Sequence, residues 1–509
     1  MVRERPVATR ERPVGTREAT VVSVRAMVPW DVRLQYRYGF YAVYAVLTVL
    51  FVGVLRSIPA GSARDTALQL LVFSDPSFLG FYFVAALVLF EKGQGVVGAL
   101  VTSPLSTRAY LWSKALSLTL LALVATTVVT ALGYGTGVRW VPLLGGVALT
   151  SVLFVFVGFV AVARFDSINA YFMTALAYMT VLGAPVLGLL GVVETRLFYL
   201  LPAQPSLVLF EAALAPVPAV ELSYAVGYLV VAIGVAAVAA RRSFERHVVA
   251  GLDQSGSDRP PVGSRLGGEY GPVLSLAVAD LKNWVRDPLL VYIGLAPVLL
   301  GAAGRYIVPY ANDALAGRLD LGAYYPEVVA GFALFGPSII GFAVGFLILE
   351  DREQGTFTAV RLTPLTGRGY LAYRLGVTVV VSFVAALVIV PLLGLVTVPL
   401  PALVAVSAVA ALYGAVTALF LSGLAANTIE GIAVSKFLGF LVMVPVAVIA
   451  VVPAPVQHLA GVFPAYWAAL GLVTATGQPG SLPVSLAVGV GYQAVVLALL
   501  GRRFLARSG

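Results

Sequence analysis

The chain has no cysteine and only two histidines in 509 residues. Without thiols it forms no disulfides and no thiolate metal sites. His247 and His458 stand far apart and neither has a second histidine at helical spacing, so no metal-binding face is expected. Charge is scarce too. Asp, Glu, Lys and Arg make up 11% of the chain, against roughly 25% in soluble domains. Also missing are the phosphate loop G-x-x-x-x-G-K-[ST] and any Gly-Lys pair, so nothing here cradles the phosphates of ATP. No H-E-x-x-H, G-x-S-x-G or paired-carboxylate signature appears, which argues against an intramembrane enzyme.

What is there is apolar. Hydrophobic residues make up 60% of the chain, more than a soluble core absorbs, since such cores stop growing at about 250–300 residues. They come in runs of about 20, the length that crosses a bilayer. The expected fold class is an all-α membrane protein, with about twelve transmembrane helices in two parallel six-helix repeats. In the first half the spans fall near 38–56, 76–90, 110–133, 141–163, 169–192 and 221–240. In the second they fall near 288–309, 328–349, 371–397, 401–424, 430–453 and 482–501. Two shorter apolar stretches, 196–215 and 455–474, carry Pro202, Pro205, Pro455 and Pro464 and are expected to be re-entrant or interfacial.

The net charge of +9 is distributed as membrane topology demands and not as nucleic-acid binding would. With the N-terminus in the cytoplasm and alternating spans, all but six of the 33 Lys and Arg residues lie on the inner side. The six are Arg56, Arg64, Arg139, Arg196, Arg305 and Arg318. The expectation is a multi-pass protein of the cytoplasmic membrane with both termini inside; membrane lipids are expected partners and nucleic acid is not. Residues 1–29, charged and Pro-containing, read as a flexible cytoplasmic arm and not as a cleavable signal. Residues 247–272, rich in Gly, Ser and Pro, read as a cytoplasmic linker between a first half, 30–246, and a second, 273–509.

The halves resemble each other. WDVRLQYRYGFYAVY, from Trp30, aligns with ADLKNWVRDPLLVYI, from Ala279, so that Asp31 meets Asp280 and Arg37 meets Arg286. Glu91–Lys114 aligns with Asp351–Arg374, identical at eight of 24 positions, and Glu91/Asp351, Lys92/Arg352 and Lys114/Arg374 keep their charge around the identical Arg108/Arg368. ARRSFERH, from Ala240, falls on GRRFLARS, from Gly501. This is the pattern of an internal duplication, and an even number of spans per copy makes the repeats parallel. Both motif stretches lie between the second and third spans of their half. Each has an acid at the span's end, then Gly95 or Gly355, then spaced apolar positions (Val97, Leu100 and Val101; Phe357, Val360 and Leu362). Ser103-Pro104 or Thr363-Pro364 follows, a helix-start signal. Tyr110 and Tyr370 are expected at the headgroup level, with Lys114 and Arg374 a turn deeper and snorkelling outward.

EKGQGVVGALVTSPLSTRAYLWSK and EDREQGTFTAVRLTPLTGRGYLAYR resemble the acid-x-x-x-Gly-Thr … Thr-Pro-Leu … Tyr-Leu … Lys pattern of ABC-2-type transporter permeases. The likeness extends over nearly the whole chain, to the lead-in carrying Asp31 or Asp280 and to six spans per half. It implies two permease units fused in one chain, the membrane part of an ATP-driven exporter that moves a hydrophobic or amphipathic small molecule, drug-like or lipid. It also implies that the loops are coupling helices docked on separate ABC ATP-binding subunits, in two copies. ATP and Mg would then be bound by those partners, and no cofactor by this chain. The docking residues so implied are Glu91, Gly95, Val97, Leu100, Pro104 and Arg108 in the first loop. In the second they are Asp351, Arg352, Gly355, Thr356, Phe357, Val360, Pro364 and Arg368. In the first copy Gly93 replaces the second acid and Val96 stands where Thr356 does, so the second loop is expected to make the stronger ATPase contact.

The alternative is a secondary multidrug transporter of the major facilitator class, which also has twelve spans in parallel halves. A D-R-x-x-G fragment stands at Asp351–Gly355, but Thr356-Phe357-Thr358-Ala359 follows where that class carries a basic run. Asn169, Glu430 and Lys436, at the starts of the fifth spans, are candidate intramembrane polar contacts, weighed against plain interfacial snorkelling.

Overall fold

The computed structural model describes residues 16–37, 39–96, 106–165, 171, 175, 178–249, 288–314, 320–353, 355 and 367–508. The expectations for Val97, Leu100, Pro104, Asn169, Thr356, Phe357, Val360 and Pro364, and the matches at Asp280 and Arg286, lie outside these residues. Among the described residues there are helices and turns but no strand. Nine of these helices are long and apolar enough to cross a membrane. The protein is an all-α membrane protein. By contacts the chain divides into two units, Met1–Arg164 with Gln204–Ser257, and Phe165–Ala203 with Asp258–Gly509.

In the first unit, α1 (Thr16–Arg37) begins within the stretch read as an arm. It is followed by α2 (Phe40–Ser57), α3 (Ser62–Gly93), α4 (Thr107–Tyr134), α5 (Trp140–Val162), α6 (Ala203–Leu214) and α7 (Ala219–His247). The expected span 76–90 is the C-terminal half of α3, which runs for 32 residues. Arg64, Asp65, Gln69 and Asp75 hide the rest from a hydropathy reading. The helix accommodates them by pairing and burial. Arg64 donates to the Gly133 carbonyl, Asp65 accepts from the Tyr134 hydroxyl at 2.6 Å, and Gln69 and Asp75 are buried. α5 packs against α3, α4 and α7. A Cβ on Gly158 would stand 2.8 Å from the Phe81 carbonyl oxygen, so the missing side chain is what lets α5 approach α3. That contact lies beside a π-helical turn at Leu79–Phe83.

The second unit holds α8 (Pro288–Ala314), α9 (Tyr325–Glu353), α10 (Gly367–Leu393), α11 (Leu400–Leu424), α12 (Thr428–Val451), α13 (Pro464–Ala475) and α14 (Leu482–Ser508). α8 and α12 occupy two of the expected span positions, while the expected span 169–192 falls partly outside the described residues. α11 is the hub: it packs against α9, α10, α13 and α14, with Tyr413 fully buried at its centre.

The two short apolar stretches take one form in both halves. A 3-10 turn, Arg196–Leu200 or Val456–Val462, leads into a helix of 12 residues, α6 or α13. At 1.5 Å per residue such a helix is about 18 Å long, short of the roughly 30 Å hydrocarbon core. Leu207 to Phe210 of α6 and Ala468 to Val473 of α13 are buried, the shielding that a non-spanning segment needs at membrane depth.

Candidate functional site at the roots of the two motif loops

α3 ends because Gly95 turns the chain with a φ of 70°, a left-handed conformation that glycine adopts without a Cβ clash, and its N–H returns to the Lys92 carbonyl. Glu91 therefore sits on the last turn. The chain re-enters as α4, capped by the Ser106 hydroxyl, which accepts from Ala109 N at 3.2 Å. Ser103, expected to be the cap from the Ser-Pro pair, lies outside the described residues; the helix starts at Thr107, so Ser106 holds that position instead. Tyr110 and Lys114, four residues apart, share a face of α4, and α1 presents Asp31 to the same point.

The groups close on one another. Lys114 Nζ lies 2.5 Å from Glu91 Oε1 and 2.8 Å from Asp31 Oδ1. The Tyr110 hydroxyl donates to Glu91 Oε2 at 2.5 Å and Ser113 Oγ to Asp31 Oδ2 at 2.7 Å. Asp31 and Lys114 are each 2% exposed. A buried charge is tolerated only when paired and hydrogen-bonded, and here each carboxylate has the ammonium plus one hydroxyl. One turn along, Gln35 of α1 donates to Ser117 of α4 at 2.9 Å, extending the seam. Phe244 of α7 lies against the Tyr110 ring with centroids 5.2 Å apart, closing the cluster on its apolar side.

The second copy repeats the design. Gly355 has a φ of 72° and its N–H returns to the Arg352 carbonyl. The Tyr370 hydroxyl bonds Asp351 Oδ2, and Arg374 Nη2 lies 2.9 Å from the same oxygen. The sequence separations are the same in both copies, 19 residues from acid to tyrosine and 23 from acid to base. This cluster is wetter, with the Arg374 and Asp351 side chains 20% and 21% exposed.

A second repeated device sits beside each cluster. Lys92 Nζ donates to the Ala163 carbonyl at the end of α5, and Arg352 donates to the Ser422 and Ala425 carbonyls at the end of α11. Both place a cation on unsatisfied carbonyls at a helix's negative end. The copies differ one residue later. Glu353 accepts from Thr428 N at 2.7 Å and so caps α12, whereas Gly93 has no side chain to do this.

These positions correct two expectations. Tyr110 and Tyr370 are each 3% exposed and point into the protein, not to the headgroup level. Lys114 does not snorkel, because two carboxylates from α1 and α3 hold it inside. Among the implied docking residues, Arg108 and Arg368 are exposed, Gly95 and Gly355 form exposed turns, and Arg352 is half-buried in its capping role. The carboxylates of Glu91 and Asp351 are engaged within the chain. Glu430 is the acid of a reciprocal cap: it accepts from Ala426 N at 2.7 Å while its own N–H reaches Asn427 Oδ1 at 2.8 Å. Lys436 lies within α12. Sequence reasoning left Tyr110, Lys114, Tyr370, Arg374 and Asp31 out of the site. The signal for them was the recurrence of Tyr and base four residues apart at one distance from an acid.

The arrangement ties three helix ends, α1, α3 and α4, into one joint from which the first motif loop departs. Removing one partner strands a buried charge at a cost of roughly 3–5 kcal/mol, so a displacement of the loop root moves these ends together.

Two family profiles match the chain: "Fluoroquinolones export permease protein family" over residues 22–252 and "Fluoroquinolones export permease protein Rv2686c-like" over residues 280–501. Fluoroquinolones export permease protein Rv2687c of Mycobacterium tuberculosis is 31% identical over 222 residues, 43% of this chain and 93% of the relative. Fluoroquinolones export permease protein Rv2686c of the same species is 36% identical over 106 residues, 20% of this chain and 42% of the relative. No solved structure matches.

Proposed function

The chain belongs to the fluoroquinolones export permease protein family, and from that premise we propose that it is the membrane-spanning subunit of an ATP-driven exporter of the ABC-2 type. Its cargo is a drug-like amphipathic molecule, of which the fluoroquinolones in the relatives' names are the model. Separate ABC ATP-binding subunits, two per chain, hold ATP and Mg and dock on the loops that begin after Gly95 and Gly355. The protein sits in the cytoplasmic membrane with both termini inside.

The observation that carries this reading is the duplicated acid–tyrosine–base cluster at each loop root. A loop that only reversed the chain would need no buried ionic joint. A loop pushed by a partner needs a stiff root, so that the push reaches the second and third spans and is not lost in local bending. Exposed Arg368 supplies charge near the second proposed docking surface, where it sets register and encounter rate. The outward-opening motion then follows from closure of the two ATP-binding subunits on ATP.

Copurification tests the docking. The full chain is expressed with its candidate ATP-binding subunit, as wild type, Phe357→Asp and Gly355→Pro. Both substitutions are expected to reduce recovery of the complex, and undisturbed complexes would overturn docking through this loop. Export driven by a proton gradient in the absence of any ATPase subunit would overturn the energy source.

A further inference from the structure

The first unit holds a cavity of about 520 Å³ lined by Arg108, Leu111 and Trp112 of α4, Phe156 of α5, and Val238, Arg241, Arg242 and Glu245 of α7, among others. The joint described above lies elsewhere on α4, so this cavity serves neither the ion cluster nor its caps. Its two ends differ in chemistry. One end is apolar: Leu111 and Phe156 are buried, Trp112 stands edge-on to Phe156 with centroids 4.9 Å apart, and Val238 is 53% exposed. The other end is cationic. Arg241 pairs with Glu245 at 2.7 Å, which neutralises one guanidinium. Arg108 and Arg242 have no carboxylate partner among the described residues and are exposed. Among the described residues the rim therefore carries a surplus of two positive charges above an apolar trough.

The internal duplication provides a control. Phe244 packs against Tyr110, and Phe504 packs in the cluster that contains Tyr370, which sets the two copies in register. In that register, one residue off the sequence match of Ala240 with Gly501, Arg108 and Arg242 recur as Arg368 and Arg502, but Trp112 becomes Ala372, Phe156 becomes Val416, Arg241 becomes Gly501 and Glu245 becomes Leu505. Leu505 packs against the apolar cluster around Leu371. The second copy keeps two arginines and loses the aromatic walls.

We propose that the cavity between α4, α5 and α7 is a binding site for one anionic phospholipid, with its phosphate on Arg108 and Arg242 and its glycerol and upper acyl chain along Trp112, Phe156 and Val238. Charge complementarity and position select this occupant. The guanidinium fork suits a phosphate, and a basic pocket between spans at the membrane surface is the setting in which anionic headgroups bind. Indole belongs at that depth. A free anion would leave the apolar trough uncovered, and a zwitterionic lipid would bring its own cation to the arginines. The inference rests on the membrane fold and not on the proposed transport activity.

The test uses the full chain in nanodiscs of phosphatidylcholine with or without phosphatidylglycerol, followed by release into mild detergent and native mass spectrometry. Wild type is expected to retain one phosphatidylglycerol, the pair Arg108→Gln with Arg242→Gln to lose it by roughly tenfold, and the pair Arg368→Gln with Arg502→Gln to keep it. Equal loss in both pairs, or equal retention of phosphatidylcholine, would overturn the site. So would displacement by glycerol 3-phosphate alone, which would mark a free-anion site. If the first pair fails to assemble, Val238→Asp places a carboxylate on the exposed wall; retention unchanged there would equally overturn the proposal.

Discussion

Lys114 and Asp31 meet at 2.8 Å, each 2% exposed, although they lie 83 residues apart on different helices. The pair fixes α1 to α4, and Glu91, 2.5 Å from the same ammonium, brings in α3. Lys114→Ala would leave two carboxylates facing each other without a cation. A loss of roughly 3–5 kcal/mol is expected, seen as a lower melting temperature and a smaller monodisperse fraction in detergent. Arg374→Ala, at a site 20% exposed, is expected to lose nearer the ~1 kcal/mol typical of solvated pairs. Equal effects would contradict the difference in burial.

Tyr110→Phe and Tyr370→Phe each delete one hydroxyl that donates to a carboxylate. The ring remains, so packing is conserved and the effect isolates the hydrogen bond. A loss of about 1.5–3 kcal/mol is expected for the buried first copy, since the acceptor is charged. In a transport assay both variants are expected to fold and to export more slowly at unchanged ATPase-subunit binding. Weakened binding would place the tyrosines in the docking surface and not in the joint.

Glu353→Ala removes the cap on Thr428 N, while Asn427 and Glu430 continue to satisfy neighbouring groups. About 1 kcal/mol of local stability is expected to go. Hydrogen exchange read at residues 428–432 should quicken while α11 stays protected. Uniform exchange across both helices would mean that Glu353 supports the whole unit.

Gly158→Leu drives a side chain into the Phe81 carbonyl and Val84, with no space to receive it. Overpacking of at least 1–3 kcal/mol is expected, with α3 pushed off α5. A cysteine crosslink between the two helices, introduced both with and without Gly158→Leu, reports the separation. Undiminished crosslinking would show that the helices do not rely on this close approach.

The fold class was legible because apolar runs of bilayer length need no tertiary information to interpret. The boundaries of α3 were not, because Arg64 and Asp65 satisfy themselves through Gly133 and Tyr134, far away in sequence, and Asp75 is buried. The loop roots were half legible. Repetition marked Glu91, Gly95, Lys114 and their counterparts as more than topology, and Gly95 and Gly355 serve as the helix stops that their type suggests. Sequence alone placed Lys114 in headgroups, since a lone lysine near a span's end snorkels. Only the arrival of Asp31 from α1 reverses that, and a long-range contact of this kind leaves no local trace. Glu430 illustrates the opposite case. Its role follows from Asn427 three residues earlier, a spacing visible in the sequence but outweighed there by its place at the edge of a span.

The paired short helices α6 and α13 have a further consequence. The first turn of any helix leaves N–H groups that the helix itself cannot satisfy. α13 opens with Pro464 and α6 carries Pro205 in its first turn, so each presents one N–H fewer at that end. At the far ends the carbonyls of the last turns stay in place. In α6 that end already holds a cation: Arg139 donates to the Ala213 and Ala215 carbonyls, so the helix dipole is met from the start of α5 and presents no bare negative end.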